Sequence, residues 1–471
     1  MNASATKDVL IVGGGLAGLS AAVALAGHGA TVSVLERKPF VGGRAYSYQH
    51  PALDEVVDSQ HVMVGCCTNL LDLCRQSGAD QHLRWYDTIP FLQVTEETGM
   101  VRRSDLGTSG LPAPFHAAKG FLAATILSAS DKARVAMGLM QFLRGYPQRD
   151  DEAFSEWLRR TGQSAAAIRN FWEPIVVSTL NDSFDRCSTR YAGQVFHEIF
   201  LKSANGGRQA IPSQPLSVFF SAFMDLAENN GAEFHLRSSV EGITQLADGT
   251  WKVVCTDGLD YCGKALILAL PFDQTRQLLQ GLPAGAPQRE TMLPLLSHFS
   301  YAPITTVHLW FDSDVTDLPQ AALLGTGIQW MFNKTRIRSR VASAEGEPSY
   351  LELVIAASFN ELRRSREEIL SQAIQEIGLF LPKVRGARIV KSGVLKEARA
   401  TFSVVPGLDQ FRPRQGAPTG GLYLAGDWTQ TGWPSTMEGA ARSGRLAAEA
   451  ITGCSFLSPE LPAGALMKFV V

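Results

Sequence analysis

Three glycines and one carboxylate are the first residues in this chain whose types and spacing point to chemistry. The apolar run Asp8-Val9-Leu10-Ile11-Val12 ends in Gly13-Gly14-Gly15-Leu16-Ala17-Gly18. An Ala/Leu-rich stretch follows, and a second apolar run from Thr31 ends in Glu36 and Arg37. A strand closed by Gly-x-Gly-x-x-Gly, a helix, and a second strand closed by an acid form a βαβ unit built to hold a dinucleotide. Gly13 permits the tight turn, Gly15 lets the backbone approach a pyrophosphate, and Gly18 lets helix and strand pack closely. The first-turn N–H groups of the helix, from Leu16 and Ala17 onward, have no internal partner and point at the phosphate. Glu36 can accept hydrogen bonds from both ribose hydroxyls, and its charge disfavours a 2′-phosphate. The alternative is a glycine-rich turn without a ligand.

Gly42-Gly43-Arg44 lies just past the acid. It resembles the FAD-binding signature of the amine oxidase and phytoene desaturase superfamily, in which the arginine reaches back to the pyrophosphate. A guanidinium suits that task, being always charged and bidentate. Near the other end, Leu424-Ala425-Gly426-Asp427 resembles the second flavin motif of the same superfamily. By that resemblance Asp427 accepts from a ribityl hydroxyl. The helix that opens near Thr436 and Met437 aims free N–H groups at the flavin N1–C2=O edge, which turns negative on reduction. Val240 presents its backbone to the adenine, again by resemblance. The expected cofactor is FAD, bound non-covalently, because no attachment cysteine lies beside the C-terminal motif. A helix cap without a ligand is the other reading of that motif.

The elements that must position these groups are spread along 471 residues, enough for two domains. The expected class is α/β. A discontinuous Rossmann-like FAD domain covers 1–80, 206–275 and 401–455. A mixed α/β substrate domain covers 81–205 and 276–400, and 456–471 form a C-terminal tail. Within the FAD domain, Leu216 to Asn230 reads as a helix and Ala232 to Leu236 as a strand. Ser239 to Leu246 and Trp251 to Thr256 read as a hairpin around Asp248-Gly249. Lys264 to Leu270 is a continuous apolar run, read as a buried parallel strand. Residues 81–205 read as mostly helical. Residues 276–400 alternate strands (Thr306 to Phe311, Tyr350 to Ala356) with a helix (Arg366 to Leu381).

The net charge of −2 leaves no electrostatic footprint for nucleic acid. Seven cysteines without a Cys-x-x-Cys indicate neither a zinc site nor a disulfide framework, and no other metal site is indicated. A reducing cytoplasm fits this usage. No signal peptide is read at the N-terminus, and no apolar window is long enough for a membrane span. The expected location is cytoplasmic, with a peripheral contact on the inner face of the membrane. That contact rests on the apolar stretch Gly120 to Leu143, which reads as core packing, as the lining of a greasy tunnel, or as a membrane-facing surface.

Two residues are candidates for proton transfer. His61 follows Asp58-Ser59-Gln60 in the segment that this superfamily places beside the flavin, and an imidazole exchanges protons near neutral pH. Its alternative is a structural histidine bonded to a backbone carbonyl. Glu173 sits in Phe171-Trp172-Glu173-Pro174. Burial there would raise its pKa and make it a proton donor. Its alternative is a helix terminus. Cys66-Cys67 reads as buried packing.

Taken together, five stretches resemble the squalene-associated FAD-dependent desaturase family, the hydroxysqualene dehydroxylases of bacterial hopanoid pathways. They are Gln60-His61 with Gly65 to Leu70; Trp172-Glu173-Pro174 with Leu180-Asn181; Arg399-Ala400-Thr401-Phe402; Pro406-Gly407; and Ala425 to Thr429 with Gly432 to Ala440. Asp58-Ser59 departs from the Asp-Asn lead-in usual there. The resemblance implies reduction of hydroxysqualene to squalene, with an external electron donor and cooperation with squalene-pathway prenyl synthases. An allylic hydroxyl leaves once protonated, and reduced FAD delivers a hydride to the cation. Three alternatives stand. A carotenoid-type desaturase would run oxidation on a polyprenyl chain. A flavin amine oxidase would need a cage aromatic where Thr436 stands. A non-enzymatic prenyl-lipid escort of the GDP-dissociation-inhibitor type would lack a working flavin site.

Overall fold

The computed structural model describes residues 6–95, 98–338, 348–416 and 419–469. Strand Lys7–Val12 is apolar on both faces, and Val9 to Val12 are buried, as a central parallel strand requires. It pairs in parallel with Val32–Glu36 on one side and Asp260–Leu268 on the other. Glu233–Leu236 extends the sheet beyond Val32–Glu36. Leu422–Leu424 runs parallel to the end of Asp260–Leu268, while Trp251–Cys255 and Val240–Gln245 form an antiparallel extension from its beginning. One sheet thus draws strands from the beginning, middle and end of the chain.

Two helices seal one site on this sheet. Leu16–Gly27 packs against Met437–Thr452, with Ser20 Oγ donating to Ala441 O at 2.7 Å. The approach is close enough that a Cβ on Gly444 would lie 2.2 Å from Ala17 O, so that position requires glycine.

A second seven-stranded sheet runs in the order Ile389–Phe402, Tyr301–Phe311, Ser349–Ala356, Trp330–Asn333, Gln320–Leu324, Thr88–Val94, Val101–Gly107. Helix Arg366–Phe380, opened by a Ser365/Glu368 capping box, covers it with Ile369, Ala373 and Ile377. Residues 118–201 are helical around an aromatic core of Phe142, Phe154, Trp157, Trp172 and Phe196.

One expectation is corrected here. Residues 83–107, read as part of a mostly helical segment, form strands Leu83–Tyr86, Thr88–Val94 and Val101–Gly107. Buried Ser104 and Leu106 alternate with exposed Arg103 and Asp105, a period of two. The parallel partner of Thr88–Val94 comes from Gln320–Leu324, far along the chain, so local sequence carries little of the signal.

Candidate active site

The three glycines differ in what forbids a side chain. Gly13 has φ +109°, and a Cβ there would lie 2.5 Å from Ala269 O. A Cβ on Gly18 would lie 1.9 Å from Gly13 O. At Gly15 the protein itself leaves room: the nearest atom to a Cβ would be Gly43 Cα, at an ordinary 3.6 Å. Space in front of an uncapped helix start suits a phosphate. Helix Leu16–Gly27 has Gly15 as its N-cap with no side-chain cap, so its first N–H groups stay available for one. Gly42 N donates to Gly14 O at 2.9 Å and folds Gly42-Gly43-Arg44 onto this turn.

Glu36 is buried at the end of its strand. Its carboxylate accepts from Gly14 N at 2.7 Å and from Lys38 N at 2.8 Å, which tie it to the glycine turn. Arg37 beside it is exposed. Ser238 N donates to Glu36 O at 2.9 Å, and two residues later Val240 opens strand Val240–Gln245. The segment that leads into Val240 is therefore tied to the end of the strand that carries the acid.

The C-terminal motif meets the N-terminal one directly. Arg44 Nη2 donates to Asp427 Oδ1 at 2.6 Å, and Arg44 Nη1 donates to Ala400 O at 2.9 Å. Ser435 Oγ donates to Asp427 Oδ2 at 2.5 Å and accepts from Phe402 N at 3.2 Å. Asn181 Nδ2 donates to Thr401 Oγ1 at 2.8 Å. Strand Ile389–Phe402 thus stitches together Arg44, Asn181, Ser435 and Asp427. Gly426 is held by Ser443 Oγ, which accepts its N–H at 2.8 Å. Thr436 is the N-cap of helix Met437–Thr452 and accepts from Gly439 N at 3.0 Å.

That helix start faces an apolar cavity of about 250 Å³. Thr436 and Met437 line it, together with Val62, Val195, Ile199, Ile304, Trp330 and Phe332. Gln60, Gln194, Gln209 and Glu198 are polar groups on the same wall. Glu438 also lines it, but its carboxylate accepts from Asn69 Nδ2 at 2.9 Å and Leu70 N at 2.9 Å, holding the start of helix Thr68–Ser77.

His61 is next to cavity-lining Gln60 but is not itself among the lining residues. Its Nδ1 is 2.7 Å from Ser59 O, the backbone-bonded arrangement, and burial lowers its pKa. Glu173 opens helix Glu173–Leu180, with Pro174 in the first turn. Burial, reinforced by Asp185, raises its pKa, but the cavity wall takes Ser178 and Thr179 from that helix and not Glu173. The stretch 120–143 contributes no residue to the lining of this cavity. It splits between buried Ile126, Leu127 and Val135 and exposed Leu122, Met137 and Met140. Cys66 and Cys67 are buried, as expected, and also line the cavity.

Glu198 and Lys202 escaped the sequence reading, although a Glu/Lys pair four residues apart in an apolar stretch is a readable signal. Lys334 and Glu352 escaped it too. Lys334 Nζ donates to Asp58 Oδ1 at 2.7 Å and to Gln60 Oε1 at 2.6 Å, and lies 3.3 Å from Glu352 Oε2. Glu352 Oε1 accepts from Gln60 N at 2.5 Å. This buried cluster pins the Asp58–His61 segment from behind.

A family model described as flavin containing amine oxidoreductase matches residues 16–452. Zeta-carotene desaturase of Synechocystis sp. is 26% identical over 480 residues, covering 94% of this chain and 96% of that protein. The 15-cis-phytoene desaturase of Solanum lycopersicum is 26% identical over 464 residues, covering 94% of this chain and 77% of that protein. Among solved structures, an oxidoreductase from Methanosarcina mazei superposes with a TM-score of 0.71 at 15% identity, covering 93% of this chain and 98% of that one. A putrescine oxidase bound to putrescine gives 0.70 at 17% identity, covering 95% and 99%.

Proposed function

The chain belongs to the flavin-containing amine oxidoreductase family, its fold is α/β, its cofactor is FAD, and it is a flavin oxidoreductase. On that basis we propose that it acts on a long apolar isoprenoid held in the cavity beside Thr436 and Met437. The observation that carries this reading is the cavity wall: Val62, Val195, Ile199, Ile304, Trp330 and Phe332 suit a hydrocarbon chain. Glu36, Arg44 and Asp427 would hold the cofactor, with Gly15 giving its phosphates room. When bound, the flavin supplies hydride transfer. Helix Met437–Thr452 presents its positive end at the cavity, where negative charge on a reduced flavin is stabilised.

Two reactions fit such a site. The named relatives are desaturases of carotenoid precursors, and that similarity supports oxidation of a polyene better than its reverse. The stretches Gln60-His61, Trp172-Glu173-Pro174 and Arg399 to Phe402 support the reverse, reduction of hydroxysqualene to squalene. Gln194 favours the same reading. Its Oε1 is a buried acceptor on the cavity wall without a partner among the described residues, which a hydroxyl would satisfy and a hydrocarbon would not. An amine substrate is disfavoured because Thr436 stands where a cage aromatic would. Anaerobic incubation decides between the reactions. Squalene formed from hydroxysqualene by dithionite-reduced enzyme supports dehydroxylation. Bleaching of the oxidised flavin by phytoene or ζ-carotene supports desaturation. Bleaching by benzylamine or putrescine alone refutes both.

A further inference from the structure

Gln194 and Glu198 stand four residues apart on the cavity wall, and the cofactor cradle uses neither. Gln194 is 3% exposed. Its Nε2 donates to Gly432 O at 3.0 Å, while its Oε1 has no partner among the described residues. Glu198 is 6% exposed and lies on the π-helical turn His197–Leu201. Such turns often occur at functional sites. Its two oxygens accept from Lys202 Nζ at 3.1 and 2.9 Å. Lys202 Nζ also donates to Glu460 Oε2 at 2.9 Å, and the Glu460 side chain is 51% exposed. Gly464 N donates to Lys202 O at 2.8 Å, which fixes the C-terminal segment on this turn. The result is a chain of exchangeable protons from a half-exposed carboxylate to the wall of an apolar cavity.

We infer that Gln194 and Glu198 form the binding site for the oxygen of an isoprenoid bearing an allylic hydroxyl, with Glu198 the catalytic residue that moves its proton. The inference rests on the proposed isoprenoid reading. Glu438, the other carboxylate on the wall, is occupied by the N–H groups of Asn69 and Leu70. Among the described residues, the Glu198 carboxylate has only Lys202 as a hydrogen-bonding partner.

The proton that forms the new O–H bond on the hydroxyl comes from the Lys202 ammonium and passes through the Glu198 carboxyl. The C–O bond breaks with its electron pair on oxygen, and water leaves. The allylic cation is quenched by the hydride that the reduced flavin supplies, and an external two-electron donor restores that flavin. Lys202, left neutral, recovers its proton through Glu460 from solvent. Burial pulls the Lys202 pKa down, but hydrogen bonds to Glu460 and Glu198 outweigh it and hold the ammonium above its ordinary value. Lys202 thus holds the Glu198 carboxylate in place and supplies the proton that it passes on.

The test uses flavin-loaded protein and reads binding by tryptophan fluorescence, since Trp330 and Trp433 line the cavity. Wild type should bind hydroxysqualene about tenfold tighter than squalene, the worth of one hydrogen bond. Gln194→Leu should lose that preference and bind squalene as wild type does; Gln194→Met carries the same test if the leucine variant does not fold. Glu198→Gln should keep its flavin and its binding of hydroxysqualene, and lose about 10²–10⁴-fold in kcat. Lys202→Met should lower kcat with KM unchanged, a split that a merely structural role would not give. The preference persisting in the Gln194 variants, or Glu198→Gln turning over normally, overturns the inference. Wild type binding neither compound sinks the isoprenoid reading itself, whereas squalene bound without any preference for the hydroxyl sinks only this inference.

Discussion

Arg44 Nη2 lies 2.6 Å from Asp427 Oδ1, an ion pair between residues 383 positions apart that joins the two flavin motifs. The Asp427 side chain is 5% exposed and that of Arg44 34%, so the pair is buried at one end and open at the other. Arg44→Ala should weaken FAD binding, as should Glu36→Ala. Each removes a charged hydrogen-bonding group worth about 1.5–3 kcal/mol, or about tenfold to a hundredfold in affinity. FAD content after dialysis measures it. A variant that keeps its full complement removes that residue from the cradle.

The flavin should come off without breaking a covalent bond. No cysteine lies between Gly426 and Arg442, and a hydrogen bond to Cys67 together with burial keeps the Cys66 thiol well above its ordinary pKa, hence protonated and a poor nucleophile. Acid or heat should release yellow colour into the supernatant. Colour that stays with the precipitate would show a covalent link.

The cluster behind Gln60 gives a pH dependence of stability with a definite sign. Burial raises Glu352 from 4.5 to about 7, with Lys334 opposing and Asp58 adding to the rise. Between these values the native state holds a proton that the unfolded chain has released, so stability falls as pH rises through that window, by roughly 3 kcal/mol for this group. Asp58 runs the other way. Burial opposes its ionisation, but Lys334 and Arg338 hold its carboxyl well below the usual range, so its contribution is present above the ordinary Asp value and lost as pH falls. Glu352→Gln keeps an acceptor for Gln60 N and should flatten the decline above about pH 4.5. Urea midpoints at several pH values measure this. A variant with the wild-type slope would place the titration elsewhere.

Where the chemistry is local, it is legible from residues alone. Gly13 to Arg44 fall within one βαβ unit, and the glycine pattern reads without the distant Ala269 whose carbonyl closes on Gly13. Thr436 as a helix cap follows from its side chain and the Ala-rich run behind it. What escapes depends on register. Lys334 reaches Glu352 because Trp330–Asn333 pairs with Ser349–Ala356, with Asn333 opposite Leu351. Arg44 finds Ala400 because strand Ile389–Phe402 carries a register shift near Ala302, opposite Thr401. Neither pairing leaves a periodic trace in sequence. Residues 83–107 are different, since Val101–Gly107 does alternate with a period of two and pairs locally with Thr88–Val94.

Glu173 and His61 can be separated by substitution. Glu173 starts its helix away from the lining of the cavity, so Glu173→Gln should keep turnover within a few-fold of wild type, as most substitutions outside a site do. His61 abuts Gln60, whose Nε2 donates to His61 O at 2.8 Å. His61→Ala should lower turnover only a few-fold with FAD retained, and a fall approaching about 10²–10⁴-fold, the worth of a positioned acid, would move the proton transfer from Glu198 to His61. Normal turnover in His61→Ala together with loss in Glu173→Gln would reverse both assignments.

The last prediction concerns a surface. No helix among the described residues is long and apolar enough to cross a membrane. Yet Leu111, Phe115, Leu122, Met137 and Met140 are exposed within one stretch of chain. Residues 101–149 carry seven Lys/Arg against two Asp, in a protein whose net charge is −2. Phe121, next to Leu122, packs edge-on against Phe171 at 5.8 Å, so this face adjoins the aromatic core of the helical region. Exposed apolar side chains among basic ones suit an anionic lipid surface, at about 1 kcal/mol per basic group near it. The protein should therefore cosediment with phosphatidylglycerol vesicles, less so with phosphatidylcholine vesicles, and less at high salt. Leu122→Asp combined with Met140→Asp should release it while leaving FAD content unchanged. Equal partition onto neutral and anionic vesicles would remove the basic groups from the explanation, and no partition onto either would leave this apolar face without a membrane role.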